Sequence, residues 1–95
     1  MNELHLDEII FYSQNDEKSL FTWLGNIPAI LSVHGQGSRI ILSVYEEISD
    51  NDLREILAVF FRYGADMGQL ANFKNKSNEL WFSDRKMYWH GRVFG

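Results

Sequence analysis

The chain has 95 residues, a formal net charge of −4 and no cysteine. That length allows one domain, able to bury roughly 60–65% of the surface its unfolded form exposes. Disulfides and cysteine-based zinc sites are excluded, a membrane span of ~20 apolar residues is nowhere approached, and the acidic N-terminus lacks the basic and apolar regions of a signal peptide.

Residues 6–12, LDEIIFY, contain a β-rich run from Ile9 to Tyr12 and can form a strand. A helix follows over 16–25. Asn15 or Asp16 can cap it, Asp16 and Glu17 suit its first turn, and Leu20, Phe21, Trp23, Leu24 and Ile27 recur at helical spacing. Gly25 and then Pro28 mark its stop. Residues 29–34 and 39–45 are rich in β-branched and aromatic side chains and flank Gly35-Gln36-Gly37-Ser38. That pattern predicts an antiparallel hairpin. Ile30, Ser32 and His34 should face one way, and Ala29, Leu31 and Val33 the other. The second strand is apolar on both faces around Ile40, Ile41 and Leu42. Helices should therefore cover one face, and another strand or a partner the other.

The second helix, over 50–63, has the fullest set of signals. Ser49 is its N-cap, with Asp50 and Asp52 in the positive first turn. Ile48 and Leu53 form a hydrophobic staple across the cap. Leu53, Ile56, Leu57 and Phe60, with Phe61 or Tyr63, make the apolar stripe, and Gly64 supplies the left-handed stop. Beyond it lie short helical turns. Asp66 can start one with Met67, Leu70 and Phe73 inward, and residues 77–83 form another. Ser83 can cap a last turn that holds Met87, Tyr88 and Trp89 and ends at Gly91. The fold class is α+β: a small antiparallel sheet packed on two helices, with a short-helix C-terminal tail.

No residue pattern points to catalysis. His5, His34 and His90 have no metal-motif spacing, no serine sits in a nucleophile elbow, and no metal or cofactor is expected. Gly35 to Ser38 lacks the lysine and following helix of a phosphate loop, so it reads as the hairpin turn. Residues 1–66 carry eleven carboxylates against four basic side chains, whereas residues 67–95 carry two against five. Glu46, Glu47, Asp50, Asp52 and Glu55 fall within ten positions, interrupted only by Arg54. One reading is a solvated face whose acids suit the helix dipole; the other is a docking patch for a basic protein. A calcium loop needs a central glycine that this stretch lacks. Tyr45 and Arg62 are candidate anchors beside the patch, since tyrosine and arginine dominate binding energy at interfaces. The tail interleaves lysines and arginines with Trp81, Phe82, Tyr88 and Trp89. Such mixing can bind single-stranded nucleic acid, but the ring spacing better suits packing on the sheet.

The stretch ISDNDLREILAVFFRYGADMGQLANF from Ile48 to Phe73 resembles small bacterial immunity proteins. So do Trp81-Phe82, the closing Tyr88-Trp89 and Val93-Phe94-Gly95, and the earlier FTWLGNIP from Phe21. These proteins accompany polymorphic toxins, including those of contact-dependent growth inhibition. The resemblance implies an inhibitor that is not an enzyme; the absence of cysteine favours a reducing, cytoplasmic compartment, and a monomer without a cofactor is expected. It would bind a cognate toxin domain, often a nuclease, and occlude its active or substrate-binding surface. No nucleic acid or membrane would be its partner. The competing reading is a small adaptor or regulatory subunit with no toxin partner.

Overall fold

The computed structural model describes residues 2–95. Three strands, β1 (Asn2–Asp7), β2 (Ile30–Gln36) and β3 (Arg39–Val44), form one antiparallel sheet in the order β1-β3-β2. Two helices pack against it, α1 (Gln14–Gly25) and α2 (Asp50–Tyr63). The tail follows as a 3-10 helix (Gly68–Phe73) and two short helices, α3 (Glu79–Phe82) and α4 (His90–Phe94). The α+β class read from the sequence is the class observed.

The sheet sorts its residues by parity. Leu4 and Leu6 on β1 lie opposite Leu42 and Ile40 on β3, and with Val44 all of them are buried on one face. Leu20 and Leu24 of α1 and Leu53, Ile56, Leu57, Val59 and Phe60 of α2 complete the core from the helical side. Burying each such side chain contributes about 1.5–3 kcal/mol before chain entropy is charged against it. On the other face Ile41 sits in register between His5 and His34. Asp7 there accepts from Arg39 Nε at 2.8 Å and Nη2 at 3.2 Å, and lies 3.1 Å from His5 Nδ1. Among the described residues no further strand covers this face, one of the two coverings expected for it; its paired residues are polar except for half-buried Ile41.

The first strand lies earlier than the 6–12 expected. Asp7 pairs with Arg39, the first residue of β3, and after the Glu8 N–H, which donates to the Ser38 carbonyl at 2.9 Å, no strand remains to pair with. Glu8 takes a left-handed backbone with φ 53°, which ends the strand. Ile9 to Tyr12 therefore form a connection, despite their β propensity. Gln69 seals the outer edge of β1. Its Oε1 accepts from the His5 N–H at 3.0 Å, and its Nε2 donates to the His5 carbonyl at 2.7 Å. One amide thus satisfies the two His5 backbone groups that a further strand would have used.

The hairpin forms where expected, closed by Gly37 and Ser38 between the Gln36–Arg39 pair. Gly37 has φ 63° and Ser38 has no positive φ, the pattern of a type II′ turn, which needs glycine first. The strict alternation expected in β2 fails. A bulge between Ile30 and Ser32 leaves Leu31 unpaired and 43% exposed. The extra residue lets Ile30 and Val33 both lie on the inner face, opposite Val44 and Leu42.

Ser13, not Asn15 or Asp16, caps α1: its Oγ accepts from the Asp16 N–H at 3.1 Å. The Asp16 carboxylate reaches back to the Tyr12 N–H at 3.1 Å, so the two side chains close the helix start reciprocally. At α2 the expected bounds hold. Ser49 Oγ accepts from the Asp52 N–H at 3.1 Å, and Gly64 ends the helix with φ 72°. Ile48 packs on the core beside buried Leu53.

In the tail Met67, Leu70 and Phe73 are buried, and Asp66 accepts from the Gly68 N–H at 3.0 Å. Buried Asn78 ties two turns together. Its Nδ2 donates to the Phe73 carbonyl at 2.8 Å and its Oδ1 accepts from the Asn75 N–H at 2.9 Å. Ser83 does not start a last turn. It ends α3, with its hydroxyl donating to the Glu79 carbonyl, and the last helix begins only at His90. Trp89 explains the delay. Its Nε1 donates to the Phe82 carbonyl at 2.7 Å, pinning the chain between them into turns. Trp81, Phe82 and Trp89 pack as one ring cluster with centroids 5.7–6.5 Å apart.

Candidate binding groove

The outer face of α2 is lined from both sides. Helix α1 runs antiparallel along one flank. Near its start the Asp16 carbonyl accepts from the Tyr63 hydroxyl at 3.3 Å, and near its end Trp23 Nε1 donates to Glu55 at 3.0 Å. The tail lies along the other flank. The Arg54 guanidinium lies 4.1 Å from the centre of the Trp81 ring, and that of Arg92 4.3 Å from the Phe61 ring. Tyr88 meets Phe61 edge-on at 4.8 Å and Trp89 at 4.9 Å.

Arg54, Ala58 and Arg62 follow at intervals of four, so they form one stripe along the outside of the helix. The small side chain at 58 leaves a trough between the two flanks. Trp23, Ala58, Phe61, Arg62 and Tyr88 line a cavity of about 400 Å³ there. Phe61 and Arg62 also border a second cavity of about 630 Å³, which continues past Gly64 to the β1–α1 connection. At that end Ile10 and Tyr12 are 70% and 88% exposed.

Partial burial, and then the negative charge of Glu55, raise the Tyr88 hydroxyl above its ordinary pKa. It therefore remains a neutral donor throughout the physiological range. Desolvation, followed by its interaction with Asp16, raises Tyr63 in the same sense. Arg54, Arg62 and Arg92 make no ion pair among the described residues; two of them rest on ring faces instead. A groove of this kind can bury an apolar side chain and still present bidentate guanidinium donors beside it.

The acidic residues singled out from the sequence occupy the shoulder between β3 and α2. Glu46 and Glu47 are exposed in the connection, and Asp50 is exposed at the first turn of the helix. Asp52 is half-buried and, at 3.6 residues per turn, points about 160° away from Asp50. Glu55 points toward α1 and is bonded to Trp23. The shoulder thus gathers Glu46, Glu47 and Asp50, whereas Asp52 and Glu55 lead away along the α1 side. Tyr45 is 51% exposed at the end of β3, its backbone N–H held by the Ala29 carbonyl at 3.1 Å. Arg62 is exposed and borders both cavities.

Trp23 and Tyr88, the two walls, were legible only as core candidates. The outward repeat of Arg54, Ala58 and Arg62 was the available signal for a groove. Among the described residues no group of three or more His, Cys, Asp or Glu side chains is placed to hold a metal ion, and no helix is long and apolar enough to cross a membrane. Comparison with known proteins finds no matching family model, no similar curated protein and no similar solved structure. What the fold and groove define is a small α+β protein with an aromatic and arginine-bearing face.

Proposed function

We propose that this protein is a cytoplasmic immunity-type inhibitor, which binds a cognate toxin domain in the producing cell and occludes the toxin's active or substrate-binding surface. The groove along α2 is the observation that most favours a binding role. Trp23, Tyr88 and Arg62 converge on one small-floored trough, and these are the residue types that contribute most when buried by a partner. The resemblance of residues 20–95 to immunity proteins supplies the kind of partner.

A nuclease toxin must hold phosphates, so its working surface is basic. The acidic shoulder attracts such a surface at long range and speeds encounter, while the groove provides the short-range contact. Glu46, Glu47 and Asp50 steer; Asp52 and Glu55 extend the negative potential along the α1 flank.

Co-expression with the toxin domain encoded beside its own gene tests the reading. Cells should survive, the two chains should elute as a one-to-one complex, and association should slow as salt rises. Loss of protection, or the lack of any toxin gene alongside, would favour the adaptor reading, in which the same groove holds a host protein.

A further inference from the structure

We infer that the groove along α2 takes an acidic polypeptide segment bearing one apolar or aromatic anchor, so that a partner lies along this helix in a single direction. The inference deepens the binding role proposed above and rests on the groove being a contact surface. Among the described residues Arg39 is the one lysine or arginine in an ion pair, held by Asp7 in a two-bond grip. Arg54, Arg62 and Arg92, all on or beside α2, have no carboxylate within ion-pair distance among the described residues.

Two of the three are held in place all the same. Arg54 lies against Trp81 at 4.1 Å and Arg92 against Phe61 at 4.3 Å. A guanidinium resting on a ring loses part of its freedom while keeping its N–H donors for a carboxylate. A carboxylate that arrives meets donors already partly ordered, so less side-chain entropy is lost on binding. Neither Glu55, bonded to Trp23, nor Asp16, bonded to the Tyr12 N–H, lies within ion-pair distance of them.

The anchor follows from the trough. Between Trp23 and Tyr88, over Ala58, about 400 Å³ stands open, enough for a leucine or phenylalanine side chain. Carboxylates beside such an anchor reach Arg62, which lines the trough, and Arg92, which rests on the trough's Phe61. The direction is set by the shoulder. Asp50 lies about 18 Å before Arg62 on the same helix and repels an acidic segment that overruns that way. The partner's basic part therefore meets the shoulder, and its acidic part meets the C-terminal half of α2.

A phage-displayed library of random twelve-residue peptides, selected on the purified protein, provides the test. Selected peptides should be enriched in Asp and Glu around one Leu, Phe or Trp, and should bind at least tenfold more weakly to Arg62→Ala/Arg92→Ala. Ala58→Trp, which fills the trough, should abolish binding while circular dichroism shows an unchanged fold. Tyr88→Ala provides a second check through the wall. Selection of basic or uncharged peptides, failure to select any, or indifference to Ala58→Trp would overturn the inference. So would tighter binding of a twenty-nucleotide oligothymidylate than of the selected peptides. Acidic selection with no protection from a toxin would leave the groove assignment standing and remove only the inhibitor reading.

Discussion

The shoulder before α2 and the groove along it both carry charge, but they hold it differently. At the shoulder Glu47 and Asp50 are exposed in a connection and a first helical turn, with no side-chain hydrogen bond or ion pair among the described residues. In the groove Arg54 and Arg92 are laid on rings, and those rings belong to a packed aromatic cluster. Solvated charge acts at a distance and is screened by salt, whereas charge held beside apolar surface acts on contact. The shoulder should thus govern how fast a partner arrives, and the groove how long it stays.

The largest way to break this contrast is to remove the support behind the groove. Trp89→Ala should destabilise the fold by about 3–5 kcal/mol, since it empties a buried aromatic site and deprives the Phe82 carbonyl of its donor. Urea unfolding measures the loss, and binding at the groove should fall with it because Tyr88 packs on Trp89. The shoulder should be unaffected.

A finer test compares two tryptophans in the same cluster. Trp89 Nε1 is bonded to the Phe82 carbonyl, whereas Trp81 Nε1 is buried with no hydrogen-bond partner among the described residues. Trp89→Phe should therefore cost about 1–3 kcal/mol more than Trp81→Phe. Equal unfolding midpoints would show that the Trp89 bond contributes nothing net.

On the shoulder side Ser49→Ala should cost about 1 kcal/mol by leaving the Asp52 N–H without its cap. Asp50→Asn should cost less, about 0.3–1 kcal/mol, through the helix dipole. Combined with Glu47→Gln it should slow association with a basic toxin severalfold at low salt and leave dissociation nearly unchanged. Arg62→Ala should show the reverse. Its stability should change by no more than about 0.5 kcal/mol, while dissociation of the complex accelerates. Stopped-flow rates at two salt concentrations separate the two effects.

The smallest effect expected is one of pH. The Tyr88 pKa is raised in the folded state, so its protonated form is favoured there. Its contribution to stability is complete below the unfolded value, about 10, and is lost as pH rises through the folded one. Tyr88→Phe should therefore flatten the fall of stability in that alkaline window and change little at neutrality.

Local chemistry determined much of the molecule from sequence alone. Helix α2 lies at 50–63 because its cap, first-turn acids, apolar stripe and terminal glycine agree, and each acts over a few residues. The hairpin and its glycine turn were legible for the same reason, and so were the inward Met67, Leu70 and Phe73. The tertiary structure alone decided whatever depends on a distant partner. The run Ile9 to Tyr12 has strand propensity, but β3 starts too late to pair with it, so the strand lies earlier. Leu31 alternates correctly in the sequence, but the bulge turns it out. Trp23, Phe61 and Tyr88 are apolar at helical spacing and read as core, yet they became groove walls. Periodicity records that a ring is apolar; which surface it lines depends on where the tail docks, and that was fixed by contacts such as Trp89 to Phe82 and Gln69 to His5.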